Sequence, residues 1–228
     1  MPELIELFVL ASSRKHGGRC IAGWDLTNGR WLRPVSPRPD GTLELGHCAI
    51  DDDWPRLFDV VRVEIDAHRP TAYQPENWQI TDRPWARVDA AQPASVRGDL
   101  ANLVDHTDWM LDSGDRRVEA ATLRANPASS SLVLVRPDDA RWRLEQFGTG
   151  RQYKTTFRLA GRNAWYEFSV TDPPIYERLV PLPDGSHDRD IVGIADDSDV
   201  FYLVSLGEPF DNVDRCFKLV AGVLEIPA

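Results

Sequence analysis

The chain has 228 residues, 42% of them hydrophobic and eight of them Trp, which is ample for a packed core and argues against a disordered chain. No apolar run approaches the roughly 20 residues needed to cross a bilayer. The opening Met1-Pro2-Glu3-Leu4-Ile5-Glu6 carries acids where a secretory leader carries Lys or Arg, and Cys20, Cys48 and Cys216 contain no CxxC pair and are odd in number, unlike a disulfide framework. A globular, cytoplasmic protein with reduced thiols and no membrane association is expected. The formal charge of −10 conceals a segregated distribution. Between Ser12 and Arg38, six basic residues (Arg14, Lys15, Arg19, Arg30, Arg33, Arg38) face Asp25 alone; between Arg141 and Asn163, six more (Arg141, Arg143, Arg151, Lys154, Arg158, Arg162) face Glu145 alone. Such segregation points to a partner without naming one.

In chain order, Leu4 to Ala11 is a dense apolar run that predicts a buried strand, followed by a polar loop over Ser12 to Gly18. Arg19 to Leu26 predicts a second strand and Arg30 to Val35 a third, joined by Thr27-Asn28-Gly29 with its hairpin signal. Leu57 to Asp66 alternates and predicts a further strand. Pro70, Pro75, Pro84 and Pro93 disfavour helix between Ala67 and Ala94, so that stretch is expected to be irregular with one short strand. Helical spacing over Ala101 to Leu111 and good helix formers over Arg116 to Ala125 predict one or two short helices. Asn126 to Ser131 is small and polar, and it places a domain boundary between residues 1–128 and 129–228.

The second half repeats the β character, with strands expected over Leu132 to Arg136, Arg141 to Phe147, Gln152 to Leu159, Trp165 to Val170, Val200 to Leu206 and Cys216 to Ile226. Pro181 to Asp199 is expected to be a long polar loop. Many short strands with turns at this spacing predict small barrels or sandwiches. Neither G-x-G-x-x-G nor a phosphate-cradling Gly-Lys-Ser is present.

Four segments carry a resemblance: Ser12-Ser13-Arg14-Lys15-His16-Gly17-Gly18-Arg19-Cys20-Ile21-Ala22-Gly23, Gly29-Arg30-Trp31-Leu32-Arg33-Pro34-Val35-Ser36, Ser205-Leu206-Gly207-Glu208-Pro209-Phe210 and Phe217-Lys218-Leu219-Val220-Ala221-Gly222. The chain resembles, over essentially its whole length, the bacterial dual OB-containing domain proteins. The resemblance implies a mainly β fold of two tandem OB-like small barrels. It also implies nucleic-acid recognition in the setting of a bacterial conflict or defence system.

An OB barrel holds single strands with a basic track for phosphates and exposed aromatic faces for bases. Alternation puts Trp31 and Arg33 on one face of their strand, where Trp31 would stack on a base and Arg33 would meet phosphate; the competing reading makes Trp31 core. In the second half Lys154 and Arg158 share the polar face of one strand, and Arg141 and Arg143 that of another, against the bland alternative of a solvated sheet face. Ser12, Lys15 and Arg19 lie in a Gly-containing loop suited to a phosphate or simply to a polar hairpin. Lys218 sits inside an apolar strand and is expected to contact Glu208 as a structural pair.

His16, Cys20, His47 and Cys48 lack the spacing of a structural zinc set, so no metal is expected. Ser12, Ser13, His16 and Asp25 have the residue types of a triad without its nucleophile elbow, and Asp51 to Asp53 and Asp196 to Asp199 resemble solvated loops. No catalytic residue and no cofactor is expected. The sequence therefore predicts a non-catalytic module engaging single-stranded or modified DNA or RNA across a surface shared by the two basic segments. Two alternatives stand beside it: a protein-interaction or immunity partner docking an acidic protein on the basic faces, and an enzyme or sensor whose barrels enclose a nucleotide.

Overall fold

A computed structural model describes residues 1–107, 109–159, 162–210 and 213–228. Its first half is a closed ring of strands. Strand β1 (Glu3–Lys15) pairs antiparallel with β2 (Gly18–Asp25), and β2 pairs antiparallel with β3 (Arg30–Val35). After the single-turn helix α1 (Leu45–Cys48), β4 (Asp59–His68) returns antiparallel to β1, and β5 (Asn77–Ile80) lies between β4 and β3, parallel to β3. The resulting order β1-β2-β3-β5-β4, closed through β1 and β4, is that of an OB-type barrel. A short exposed strand, β6 (Ala86–Ala90), extends the sheet beside the start of β4.

The physical cause lies in β1. Ile5, Leu7 and Val9 point into the ring, while Phe8 and Leu10 point out of it, and both sets are buried. A strand covered on both faces reads as a continuous apolar run, as this one does. The Asn28-Gly29 turn has Gly29 at φ +66°. The loop expected from Ser12 to Gly18 is instead a continuation of the β1–β2 hairpin, turning only at His16 and Gly17 with φ of 43° and 83°.

A connecting segment follows with a short 3-10 turn, α2 (Arg97–Leu103), a second 3-10 turn at Met110–Asp112, β7 (Arg117–Glu119) and α3 (Ala120–Ala125). The one or two short helices expected here form as α2 and α3. The first begins and ends earlier than its apolar spacing suggests, and Asp108, which lay within that expectation, is outside the described residues.

The second half repeats the ring. β8 (Leu132–Val135) and β9 (Pro137–Phe147) form one strand interrupted at Arg136; β10 (Gly150–Leu159), β11 (Trp165–Val170), α4 (Pro173–Leu179), β12 (Gly185–His187), β13 (Asp199–Phe210) and β14 (Arg215–Ile226) complete it. β9, β10 and β11 form an antiparallel meander; β11 is parallel to β14, β14 is antiparallel to β13, and β13 closes onto β8. With β8 and β9 counted as the first strand, the order is the same as in the first ring. Here too the third and fifth strands make the parallel pair. Helix α4 fills the connection between the third and fourth strands, as α1 does in the first ring, and neither of those two helices was expected from the sequence.

Each ring has its own core: Ile5, Leu7, Ile21, Leu32, Val63 and Ile80 in the first, and Trp142, Phe157, Phe168, Tyr202 and Val220 in the second. A third cluster binds the rings together. Phe8 and Leu10 of β1 pack there with Leu134, Leu203 and Leu224 of the second ring. The two backbones approach so closely that a Cβ on Gly222 would lie 2.2 Å from the carbonyl oxygen of Leu10. A side chain at that point cannot be accommodated without moving β1 away from β14.

Candidate nucleic-acid interface

OB barrels bind ligands on the outer face of their second and third strands, between the loops joining strands one to two and four to five. In the first barrel that face is covered. Trp31 packs edge-on against Trp24 with ring centroids 5.3 Å apart, and both rings lie against the junction core. Arg33, on the same face of β3, is only 1% exposed. Its Nη2 donates to Ser205 Oγ at 3.0 Å and its Nη1 to Asn77 Oδ1 at 3.2 Å, with Glu76 Oε2 at 3.9 Å. Glu76 accepts in turn from Ser130 Oγ and Ser131 Oγ, each at 2.8 Å, and from the Ser131 amide. Gln74 Nε2 donates to the Leu206 carbonyl at 3.1 Å. The expected base-stacking and phosphate roles of Trp31 and Arg33 give way to a junction role, because buried charge is tolerated only when paired and hydrogen-bonded.

The Ser12 to Arg19 hairpin is likewise engaged with its surroundings. Ser12 is buried, and its carbonyl accepts from Arg19 Nη1 at 3.0 Å. The Arg19 guanidinium lies 5.3 Å from the centre of the Trp54 ring; burial, and then the neighbouring Arg14, lower its pKa. Lys15 Nζ bonds to Glu208 Oε1 at 2.7 Å and to the Asp40 carbonyl at 2.5 Å. The Arg14 amide donates to the Thr171 carbonyl at 3.1 Å, and its guanidinium sits 4.0 Å over the Tyr176 ring of α4. Glu208 therefore pairs with Lys15 and not, as expected, with Lys218. Lys218, 1% exposed, instead donates to the carbonyls of Met110 at 2.7 Å and Ser113 at 2.5 Å, which bring acceptor dipoles to its buried ammonium.

In the second barrel the corresponding face is open. The β9–β10 register sets Arg143 opposite Lys154 and Arg141 opposite Thr156; the β10–β11 register sets Lys154 opposite Ser169, Thr156 opposite Glu167 and Arg158 opposite Trp165. Trp142, Leu144, Phe157, Tyr166 and Phe168 alternate to the other side and fill the core. The outer face thus carries Arg141, Arg143, Lys154 and Arg158 interleaved with Glu145 and Glu167. Lys154 lies 2.5 Å from Glu145 and 3.4 Å from Glu167, and Arg143 lies 3.0 and 3.6 Å from the same two residues. The Lys154 hydrogen bond holds the Glu145 carboxyl below its ordinary pKa. At the margin Arg141 faces Asp188 at 3.4 Å, and Arg158 pairs with Asp139 and, at 3.7 Å, with Asp138.

Aromatic surface accompanies these charges. Trp165 is 57% exposed, and the Arg158 guanidinium lies 5.3 Å from its ring centre. Phe147, at the β9–β10 turn, is 67% exposed; Phe210, at the end of β13, is 66% exposed and meets Phe217 edge-on at 6.4 Å. Those two turns are the flanking loops of an OB site. Sequence reasoning missed Trp165, Phe147 and Phe210 as site residues. The signal for Trp165 was present, since alternation in Trp165-Tyr166-Glu167-Phe168-Ser169-Val170 sends Trp165, Glu167 and Ser169 to the polar side.

The two basic segments are not brought together as one groove: the first supplies Lys15 and Arg33 to the junction, and the second supplies the open face. Burial pushes the Cys48 thiol up to about 12 and the Cys216 thiol up to about 11, so neither is a ready nucleophile or metal ligand. Among the described residues no group of three His, Cys, Asp or Glu is placed to hold a metal ion, and no helix is long and apolar enough to cross a membrane.

Two rings of identical strand order, one with the outer face of its second and third strands covered and the other with that face open, define a tandem OB-barrel protein. The chain belongs to the dual OB-containing domain family, whose model matches residues 5–223. Among curated proteins none matches the chain.

Proposed function

We propose that the second barrel binds single-stranded nucleic acid across β9, β10 and β11, and that the first barrel acts as its scaffold. In this reading the chain divides into residues 1–128 and 129–228, and only the second unit presents a strand-binding face. The observation that carries it is the exposed Trp165 beneath Arg158, placed on the outer face of the second and third strands where OB barrels take their ligands. A base stacked on Trp165 contributes about 1–3 kcal/mol, and Phe147 and Phe210 offer further apolar surface at the two ends of the face.

Charge sets the character of the binding. The cations Arg141, Arg143, Lys154 and Arg158 all have carboxylate neighbours. The more exposed pairs, Arg141–Asp188 and Arg143–Glu145, are worth only about 0–1 kcal/mol each, so a phosphate can displace a carboxylate there at small cost. Lys154, largely buried, is held more firmly by Glu145. Asp138, Asp139, Asp188, Glu145 and Glu167 nevertheless cancel most of the long-range attraction. Stacking therefore supplies most of the affinity, and the salt dependence corresponds to about one or two phosphates, a log–log slope of about −1. The free thiols Cys20, Cys48 and Cys216 accord with action in the reducing cytoplasm.

The test is fluorescence anisotropy with labelled oligothymidylate and oligouridylate at two salt concentrations. Binding with a shallow salt slope is expected for the intact chain. Absence of binding to both strands, or affinity unchanged in Trp165→Ala, would overturn the reading.

A further inference from the structure

Apart from the strand-binding face, a second concave site lies where the connecting segment crosses the second barrel. The Asp105 amide donates to the Leu134 carbonyl at 2.8 Å, and Val104 bridges in parallel to Leu134, fixing the segment after α2 against β8. Between that segment and the barrel remains a cavity of about 430 Å3. Ala101, Val104, Leu159 and Phe201 give it apolar walls; Arg97, Arg136 and Arg162 stand among its polar lining.

Arg97 and Arg136 share one counter-charge. Arg97 Nη1 lies 3.1 Å from Asp199 Oδ2, and Arg136 Nη2 pairs with the other oxygen of the same carboxylate. Arg162 Nη2 donates to the His106 carbonyl at 3.0 Å. Asp105, the other carboxylate in the lining, is turned to its own loop: it accepts from the Thr107 amide at 2.8 Å and from Thr107 Oγ1 at 2.7 Å. Two guanidiniums, Arg97 and Arg136, thus divide one carboxylate, and Arg97 Nη2 also donates to the Pro227 carbonyl at 2.6 Å. Planar guanidinium forks match phosphate oxygens. A volume of this size with apolar walls and a few converging polar groups is that of a small-ligand site.

The geometry points to a pocket for a phosphate monoester carrying a nucleoside-sized apolar group. The phosphate lies against Arg97 and Arg136, and the ring system lies on Ala101, Val104 and Phe201. The monoester is either a free mononucleotide or the 5′ end of a strand, since both present the same chemistry. None of the residues invoked belongs to the β9–β11 face, so this inference stands independently of the strand-binding reading.

Calorimetric titration of the full chain with adenosine 5′-monophosphate, with adenosine, and with short oligothymidylates bearing a 5′-phosphate or a 5′-hydroxyl tests it. The monophosphate is expected to bind and adenosine to fail. Arg136→Ala removes one charged hydrogen-bonding partner and weakens the monophosphate about tenfold. Ala101→Trp fills the pocket while leaving every charge in place, and it abolishes the binding; circular dichroism confirms the fold of each variant. A 5′-phosphate that tightens oligothymidylate binding supports the site with a strand end as its ligand, and equal affinities with the monophosphate still bound support it with a free nucleotide. The inference is overturned if the monophosphate does not bind, if adenosine binds equally well, or if folded Arg136→Ala and Ala101→Trp proteins bind the monophosphate as the parent does. Trp165→Ala separates the two readings, because it acts on strand binding and leaves the monophosphate unaffected.

Discussion

Lys15 and Glu208 stand 193 residues apart in the chain, yet their charged groups meet at 2.7 Å across the junction of the two barrels. The ammonium belongs to the β1–β2 hairpin and the carboxylate to β13, so the pair fixes how the first barrel sits on the second. Both side chains are largely but not fully buried, which places the pair between a surface contact and a buried one.

Lys15→Met is expected to lower stability by about 1 kcal/mol, and Glu208→Gln by a similar amount. The double variant should cost less than the sum, because each single change leaves the other group without its counter-charge. Denaturant unfolding of the four proteins of this cycle reads the coupling. Strand affinity is expected to stay within error in all of them.

Arg33→Met should be far more damaging, by about 3 kcal/mol or more, because it strands Glu76 as a buried carboxylate and leaves Asn77 and Ser205 without their donor. Adding Glu76→Gln to that variant removes the stranded charge and should restore part of the loss. Midpoints of chemical unfolding decide the matter; equal stability of the single and double variants would show that Glu76 does not feel Arg33.

Trp165→Ala, at an exposed position, should leave the unfolding midpoint nearly unchanged. Loss of one stacked base is expected to weaken oligothymidylate binding by about 5- to 150-fold. Trp165→Phe retains a smaller stacking surface and should fall between the two. Anisotropy titrations of the three proteins provide the comparison.

A pH dependence follows from Asp172. This residue caps α4, accepting from the Ile175 amide at 3.0 Å and from the Val223 amide at 3.1 Å, and it is 1% exposed. Burial, opposed by those two amides, raises its carboxyl pKa from 3.8 to about 6. The folded state therefore holds this proton more tightly than the unfolded chain does. Its effect favours folding below pH 4, is lost progressively as pH rises from about 4 to 6, and is constant above that, a span of about 3 kcal/mol. Asp40, Asp53, Glu64, Glu145 and Asp214 have lowered pKa values and contribute in the opposite direction as pH falls. The informative quantity is the difference between parent and Asp172→Asn, which keeps a hydrogen-bond acceptor and removes the proton. Its stability relative to the parent should rise between pH 4 and 6.

Most strands were legible because alternation and turn residues are local properties. Arg30 to Val35 and Trp165 to Val170 fall where the sequence puts them, and the apolar side of Gln152 to Leu159 became the core. Helices α1 and α4 were not legible. α1 has four residues, too few to show a helical period, and α4 begins with Pro173-Pro174 capped by Asp172, inside a region dense in turn formers. The site was legible only in part. Arg141, Arg143, Lys154 and Arg158 do share an exposed face, since that depends on alternation within adjacent strands. The fate of Arg33 depends on Ser205, 172 residues away, and of Lys15 on Glu208; no periodicity encodes such pairs.

The crossing at Gly222 has a consequence for synthesis. Phe8 and Leu10 of β1 find their cover largely in the second barrel, and the strand that crosses them, β14, ends at Ile226. While the chain is being made, a first barrel already closed through β4 and β5 carries an uncovered apolar flank until β14 has left the ribosome. β1 thus waits for β14, made about 200 residues later, and a chain stopped before β14 would present that flank to chaperones or to other chains.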